Sequence, residues 1–583
     1  IGVVSTSTTK AEFTYMTNSG GFNFPNLNYQ NHNTYVFYSA TILDNSTGGV
    51  KLSRAYNTAN FTFGPSYFNN TSGITVTTIR IAPFFVSKNS LDKDLLFVEN
   101  KGQILVGSIS ATTSNVAVEL EVAGITLSNN VYYNNVINSG DIRLLRLNQS
   151  AEVWVSGISK RLSYNSTLND EYTMKNSINK GAIITALISG NTTVVSGTVT
   201  TTSYSSTLTS RNVYVGGLVN VNSGEMTNVF NSGTLSSTDI GGTGLQHITG
   251  TANLYAGGVA TSNYNLIQDA ANTGTLNYTN TTATGSSSAL VAGTTNQFGG
   301  MVFGYNAGFV LGGVVAAFGD DAAAILSGHG QNTGMIAKLI DSANNGDVYG
   351  KAPQYVRAGG VLGIALGTEV TAGSDNATST NNVIRKFATN ATGANDRVAN
   401  SILPNGLNFG NIYVFTGTRA NYTTTDQRLG IYGSAGGVIA YGLCKMTRML
   451  NHGKITSNDI GGGIIGATYI FGTDANNGQA MPVTYVDIDT AVHYGQVEAF
   501  IHSQYANATF ETRNNTSLYY TGSARTTFLF GTYSSITMGA KPGYGGIFGR
   551  LQRGTFGVMT SSTFKNILNM DQNIDMIGRA DQT

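Results

Sequence analysis

Two short patterns recur along this chain at a fixed distance from one another, and that phase limits its fold more than any other feature. The first is a Gly-Gly pair followed by branched apolar residues. It occurs at Gly216-Gly217-Leu218-Val219, Gly257-Gly258-Val259, Gly299-Gly300-Met301-Val302, Gly359-Gly360-Val361-Leu362, Gly436-Gly437-Val438-Ile439, Gly462-Gly463-Ile464-Ile465 and Gly545-Gly546-Ile547-Phe548. The second is Asn-x-Gly-x-(Ile/Leu/Val/Met), beginning at Asn138, Asn179, Asn222, Asn231, Asn272, Asn306, Asn332, Asn408 and Asn451, with His493-Tyr-Gly-Gln-Val497 as a variant. From Gly216 to Asn231, Gly257 to Asn272 and Gly436 to Asn451 the offset is 15 residues each time. Successive Asn-x-Gly elements often lie 41 to 43 residues apart. Glycine-rich composition alone does not hold such a phase, so the pattern is a structural repeat.

Asn and Gly tolerate positive φ, which predicts that Asn-x-Gly turns a sharp corner between short strands. The alternation after it, as in Gly233-Thr234-Leu235-Ser236, sends one side chain inward and the next outward. The Gly-Gly pair implies close approach of a second backbone or an aromatic ring, and Tyr214, Tyr255 and Phe298 precede it. Val153-Trp154-Val155-Ser156-Gly157-Ile158 reads as a degenerate copy of the same unit. Charged residues are 11% of the chain while 72 Gly and 61 Asn replace them, yet hydrophobic residues still make up 41%. That balance supplies a core and favours strands and turns. One unit buries too little apolar surface to stand alone, so units must stack. The expected fold is all-β: an elongated right-handed parallel β-helix, or β-solenoid, with irregular insertions and a non-repetitive N-terminal β region.

The copy running from Gly216 to Leu235, GGLVNVNSGEMTNVFNSGTL, resembles the GLUG-type repeat of large bacterial surface proteins and adhesins, roughly Gly-Gly-Leu-Val-Gly-x-Asn-x-Gly-x-Ile-x-Asn-x-x-Asn-x-Gly-x-Val. The resemblance extends over residues 100–560 with interruptions and implies a β-solenoid stalk at a cell surface. Long insertions at 364–407 and 467–492 depart from it.

Four regions follow. Residues 1–100 are rich in Phe and Tyr without the repeat and are expected to form an N-terminal β cap or small β-sandwich. Within them Ile1 to Phe13 can serve as an added strand, in its own chain or another. Residues 101–360 hold the most regular repeats, 361–500 the interrupted ones, and 501–583 a last unit and a C-terminal cap. In that cap Phe564-Lys-Asn-Ile-Leu-Asn-Met570 is a short helix or a closing strand. The uncharged run Gly299–Gly319 is long enough to suggest a membrane span, but its glycines and Asn306 match the repeat, so no membrane insertion is expected.

The net charge of +1 leaves no basic stripe for nucleic acid and no polybasic segment for a membrane surface. Cys444 is the single cysteine, which excludes an intramolecular disulfide framework and reads as a small buried hydrophobe. The chain starts at Ile1 with no charged and apolar leader, as expected of a mature extracellular or cell-surface protein whose signal peptide has been removed.

Glycosylation acceptors of the Asn-x-Ser/Thr form occur at Asn45, Asn60, Asn69, Asn70, Asn148, Asn165, Asn191, Asn277, Asn280, Asn376, Asn390, Asn421, Asn507, Asn514 and Asn515. Their number is what so many Asn, Ser and Thr produce by chance; their position, in Ser/Thr-rich loops, is more telling. Asp487 and Asp489 share one face of a strand just before His493. That pair reads as an ordinary solvent-facing strand, as oxygen ligands for Ca²⁺, or as the carboxylates of a polysaccharide-cleaving β-helix. No nucleophile, phosphate-loop or zinc pattern accompanies it, so neither a catalytic residue nor a cofactor is assigned. Open rows of Tyr and Asn could bind carbohydrate, or could be internal ladders of the repeat.

Three functions are consistent with this sequence. The first is a subunit of an extracellular filament, fibril or sheath, a homo-polymer joined head to tail, with glycans as further partners. The second is a surface adhesin or stalk, and the third a secreted polysaccharide-degrading enzyme.

Overall fold

The computed structural model describes residues 3–5, 11–25, 27–30, 36–39, 43–45, 49–64, 66–69, 76–86, 93–111, 117–128, 130–147, 150–165, 170–185, 192–195, 198–201, 211–237, 252–279, 297–298, 301–302, 308–318, 337–352, 356–366, 402–416, 433–443, 445–458, 460–468, 487–500, 509–513, 517–521, 543–551, 563–570 and 574–577. No helix occurs among them. Most of their strands belong to four long sheets of 14, 14, 11 and 10 strands, here sheets I to IV, with parallel pairing between levels.

One turn of the chain shows the path. Glu225–Asn231 lies in sheet I, Leu235–Ser236 in sheet II, Ala252–Gly257 in sheet III and Ala260–Asn263 in sheet IV. The chain then returns to sheet I with Leu266–Asn272, paired in register with the strand it left, Glu225 opposite Leu266 and Asn231 opposite Asn272. This is a parallel β-solenoid. Its interior has two apolar layers. Sheet I faces sheet IV through residues such as Met226, Val229, Val219 and Ala260, and sheet II faces sheet III through Leu235, Leu276, Val213 and Leu254. Each fully buried side chain of this size contributes about 1.5–3 kcal/mol, so a level is stable only with its neighbours stacked on it.

The expected corner chemistry needs correction. No corner Asn or Gly of the sheet I to sheet II turn is among the described residues with positive φ. Gly is required there by the level next door: a Cβ on Gly233 would lie 2.0 Å from the Gly181 carbonyl oxygen. The Gly-Gly turn between sheets III and IV follows the same rule, with a Cβ on Gly217 lying 1.7 Å from the Gly258 oxygen. Positive φ falls elsewhere, three residues before each corner Asn. Asn135, Asn176, Asn228, Asp269, Asp341 and Asn405 have φ of 50° to 55°. Asn and Asp tolerate this left-handed conformation better than other side chains. It bends every sheet I strand and interrupts its in-out alternation, as in the burial of Val131–Asn138.

The described strands of the first hundred residues join the stack, apart from Val3–Ser5 and Leu43–Asn45, which pair in a sheet of their own. Ala11–Thr14 pairs in parallel with Val50–Ser53, and Val50–Asn57 with Lys93–Asn100. Phe22 and Phe24 stack on Phe61 and Phe63, one level on, with centroids 4.9 and 4.7 Å apart. At the other end Thr563–Asn569 is a strand paired with Asp487–His493. Gly299 and Gly300 lie outside the described residues, and the strands on either side of them, Gln297–Phe298 and Met301–Val302, pair antiparallel outside the four sheets. Gly312-Gly313-Val314-Val315 makes the turn of this level, with Phe309–Gly312 in sheet III and Val315–Phe318 in sheet IV. Among the described residues no helix is long and apolar enough to cross a membrane. The insertions expected at 364–407 and 467–492 fall between Leu362–Leu366 and Ile402–Pro404, and between Ile465–Thr468 and Asp487–His493; residues 367–401 and 469–486 lie outside the described residues, as does Cys444.

Candidate functional site

The corner asparagines form one axial ladder inside the solenoid. Asn18, Asn57, Asn100, Asn138, Asn179, Asn231, Asn272, Asn344, Asn408 and Asn451 follow level by level, each Nδ2 donating to the next Oδ1 at 2.6 to 2.9 Å. From Asn57 onward the same Nδ2 also donates to the carbonyl two residues on in its own chain, as Asn231 does to Gly233 at 3.0 Å. A carbonyl accepts only from the nitrogen end of the amide, so the orientation of each side chain is forced and the ladder has one direction. At His493 the run changes, with Asn451 Nδ2 3.0 Å from the buried imidazole Nδ1. Asn222 and Asn263, at the corner between sheets IV and I, form a second short ladder at 2.7 Å. The long ladder satisfies its buried amides, whereas in the short one Asn222 Nδ2 is paired and its Oδ1 has no partner among the described residues. Neither offers a group to solvent.

The strongest titratable cluster lies on the outer side of sheets III and IV. Glu121 is 4% exposed and pairs with Lys160 Nζ at 2.6 Å and Arg80 Nε at 2.9 Å. Lys160 also reaches Glu119 at 3.4 Å and sits 4.6 Å above the Trp154 ring. Trp154 Nε1 donates to Glu152 at 3.2 Å. Burial raises the Glu119 carboxyl above its usual range, against Lys160, with Glu121 and Glu152 adding to the rise. Burial also pushes Glu121 upward, but Lys160 and Arg80 outweigh it and hold that carboxyl low. One carboxyl raised and one lowered is the pattern of an acid and base pair. Here a single ammonium bridges both and the lowered one is inaccessible, so the arrangement ties successive levels together. Trp154, Tyr214 and Tyr255 continue that tie as a buried stack, with centroids 3.8 and 5.4 Å apart.

Of the acceptor asparagines, Asn60 is exposed, its Oδ1 accepting from Gln103 N at 2.8 Å. Asn277 is half-buried in sheet II between Ser236 and Tyr349. Asn45, Asn69 and Asn165 lie in strands Leu43–Asn45, Ser66–Asn69 and Tyr164–Asn165. Asn70, Asn148, Asn191, Asn280, Asn376, Asn390, Asn421, Asn507, Asn514 and Asn515 lie outside the described residues. Asp487 and Asp489 share strand Asp487–His493 in sheet I. Asp489 Oδ1 accepts from Thr490 Oγ1 at 3.1 Å and Asn566 Nδ2 at 3.3 Å. Among the described residues no three His, Cys, Asp or Glu side chains are grouped to hold a metal ion.

An exposed row of rings does exist. Phe409, His452 and Tyr494, each following a ladder residue, stack at 5.4 and 4.5 Å with planes within 9° and 7°. Rings stacked on one another cover each other's faces, so this row is a ladder and leaves sugar stacking few free faces. Neither the Glu119–Glu121–Lys160 cluster nor the bent column in sheet I was signalled as such by the repeat. The column had a visible trace, Asn or Asp three residues before the corner Asn. No known protein family, curated protein or solved structure matches the chain.

Proposed function

We propose that this chain is an extracellular structural protein, a solenoid subunit that stacks head to tail into a surface filament, fibril or sheath. The observation that carries the reading is the state of the two end levels. Ile488, an inward residue of sheet I, is fully buried, whereas Phe564, its counterpart one level on, is 40% exposed. At the opposite end Phe13, Met16, Phe22 and Phe24 are only partly buried. Among the described residues both end levels thus carry the inward pattern of a middle level, and no further strand pairs beyond Ala11–Thr14 or Thr563–Asn569. A second copy set on in register brings Phe564 over Phe13, Ile567 over Met16, Asn569 over Asn18 and Ile574 opposite Phe22. Such a contact uses different surfaces on the two partners and does not close, so it grows into a fibre.

The scarcity of charge, the single Cys444 and the resemblance to GLUG-type surface repeats support an extracellular setting, with Asn60 the best-presented acceptor for a glycan. The reading assigns no catalysis to Asp487 or Asp489. Negative-stain microscopy and sedimentation of the purified chain test it. Unbranched filaments are expected, and Phe564→Lys is expected to leave single rods with an unchanged strand signature in circular dichroism. Isolated rods from the wild type at high concentration, or unaltered filaments from the variant, would refute the reading.

A further inference from the structure

The amide ladder meets one residue that can titrate, near its C-terminal end. Asn451 is fixed in orientation by three bonds. Its Oδ1 accepts from Asn408 Nδ2 at 2.7 Å and from Gly453 N at 3.1 Å, and its Nδ2 donates to the Gly453 carbonyl at 2.9 Å. The same Nδ2 lies 3.0 Å from His493 Nδ1. That contact is a hydrogen bond only while Nδ1 carries a lone pair, so the ring is neutral with its proton on Nε2. An imidazolium would set N–H against N–H. Turning Asn451 over gives no relief, because its Nδ2 would then face Asn408 Nδ2 and the Gly453 N–H. His493 is also fully buried, so a charge there would be held out of water.

Register sets the neighbours of the ring. Asn451 and Asn569 flank it on sheet I, one level either way. Across the interior stands the Gly462-Gly463 turn, where a Cβ on Gly463 would lie 2.4 Å from the imidazole Cδ2. None of these residues is titratable. The charged and titratable side chains of the adjoining strands belong to outward columns. Asp489, Lys565 and Arg448 stand on the outside of sheet I, His452 and Tyr494 in the stacked row past the corner, and Glu498 pairs with Lys454 at 2.9 Å on sheet II.

We infer that His493 is an acid-sensitive latch for the last two levels of the solenoid. These are Asp487–His493 with Val497–Phe500, and Thr563–Asn569 with Ile574–Ile577. When they lift away, the freed imidazole takes up a proton that the closed ladder does not admit. An accessible imidazole is protonated below about pH 6.5. Opening is thus coupled to proton uptake, so the stability of these levels is present above about pH 6.5 and lost as pH falls below it. One proton raises the open fraction up to about tenfold per pH unit, or about thirtyfold between pH 7.5 and 5.0. End levels of a stacked repeat open apart from the middle, which confines the effect to this end. The consequence for filaments, that acid releases a joint made on the Thr563–Asn569 level, rests on the head-to-tail reading; the latch does not.

Hydrogen exchange of the full chain at pH 7.5 and 5.0, read by mass spectrometry at a dilution that leaves single chains, tests the latch. Protection factors remove the intrinsic pH dependence of exchange. Amides of Asp487–His493 and Thr563–Asn569 are expected to lose about thirtyfold in protection, and those of Leu266–Asn272 to change far less. His493→Asn restores the rung of the preceding levels and is expected to abolish most of that loss. His452→Asn, in the exposed stack, is expected to keep it. Unchanged protection of the last two levels in the wild type, an equal loss in His493→Asn, or a loss spread evenly along the solenoid would overturn the assignment. Because single chains are read, its failure leaves the filament reading standing, and absence of filaments leaves the latch standing.

Discussion

Substituting Asp for Asn231 tests the amide ladder with almost no change in shape. Asn231 is fully buried. It accepts from Asn179 at 2.8 Å and donates to Asn272 Oδ1 at 2.7 Å and to the Gly233 carbonyl at 3.0 Å. Asp keeps the accepted bond but turns the donor into a second oxygen facing two acceptors. Two buried acceptors lose their partner, at about 1–3 kcal/mol each, so ~2–6 kcal/mol is expected before any charge is buried. Charge burial adds to that, and it penalises the ionised form alone. The folded-state pKa of the introduced carboxyl therefore lies above its unfolded value. The deficit relative to wild type is largest at neutral pH and shrinks as pH falls through that raised value. Urea denaturation followed by far-ultraviolet circular dichroism, at neutral and mildly acid pH, measures both effects. Asn277→Asp, half-buried on the outside of sheet II, is the control, with a change within about 0.5 kcal/mol. A ladder variant as stable as wild type at neutral pH, or one whose deficit grows on acidification, would show that the amides do not bear this stability.

Gly233→Ala should destabilise by at least ~3 kcal/mol or prevent folding, because backbone and not a yielding side chain lies 2.0 Å from the new carbon; Gly20→Ala, with nothing within 4 Å, should be neutral in the same melt. Asn228→Val should cost about 1–2 kcal/mol at its φ of 54°, whereas Asn228→Gly should cost less, as compared by chemical denaturation. Lys160→Met leaves Glu121 buried beside Arg80 alone and should cost about 3 kcal/mol. Because the folded-state Glu121 carboxyl is held low, its stabilisation is present above the unfolded value and lost as pH falls through the folded one. A stability profile against pH should show a smaller acid loss in Lys160→Met than in the wild type.

The solenoid was legible because its two patterns mark backbone crowding, which only glycine relieves and which recurs once per level. The reason was not legible in the same way. Positive φ and close packing both select Gly, and nothing in Asn231-Ser-Gly233 separates them until the Gly181 carbonyl is in place. The corner Asn looked like turn chemistry for the same cause, since a buried ladder and an exposed turn use the same side chain. The Gly-Gly pattern at Gly312-Gly313, which makes a sheet III to sheet IV turn, was missed because it is followed by Val314-Val315 but preceded by Leu311 and not by an aromatic ring. The ionic tie of Arg80, Glu119, Glu121 and Lys160 spans residues far apart in sequence that only the register brings together. The bent column was half legible: Asp341, Asn405, Arg448 and Thr490 each stand three residues before a ladder residue, but nothing in that offset shows their left-handed backbone.

The ladder also bears on how subunits can join. Its direction is uniform from Asn18, whose Nδ2 donates to Asn57 Oδ1, to Asn451, whose Nδ2 faces His493. Among the described residues no rung precedes Asn18, and the donating sense of every rung from Asn18 to Asn451 runs toward the C-terminal levels. Setting the C-terminal level of one copy on the N-terminal level of the next opposes donor to acceptor and keeps the strands parallel. Setting like ends together opposes acceptor to acceptor or donor to donor, and turns the pairing of all four sheets antiparallel against columns built for parallel register. Unpaired buried amides cost as much at a joint as inside the chain. An assembly made through these ends is therefore polar for the reason that the interior is ordered: each rung has one acceptor and one donor along the axis, and only a copy facing the same way continues that sense.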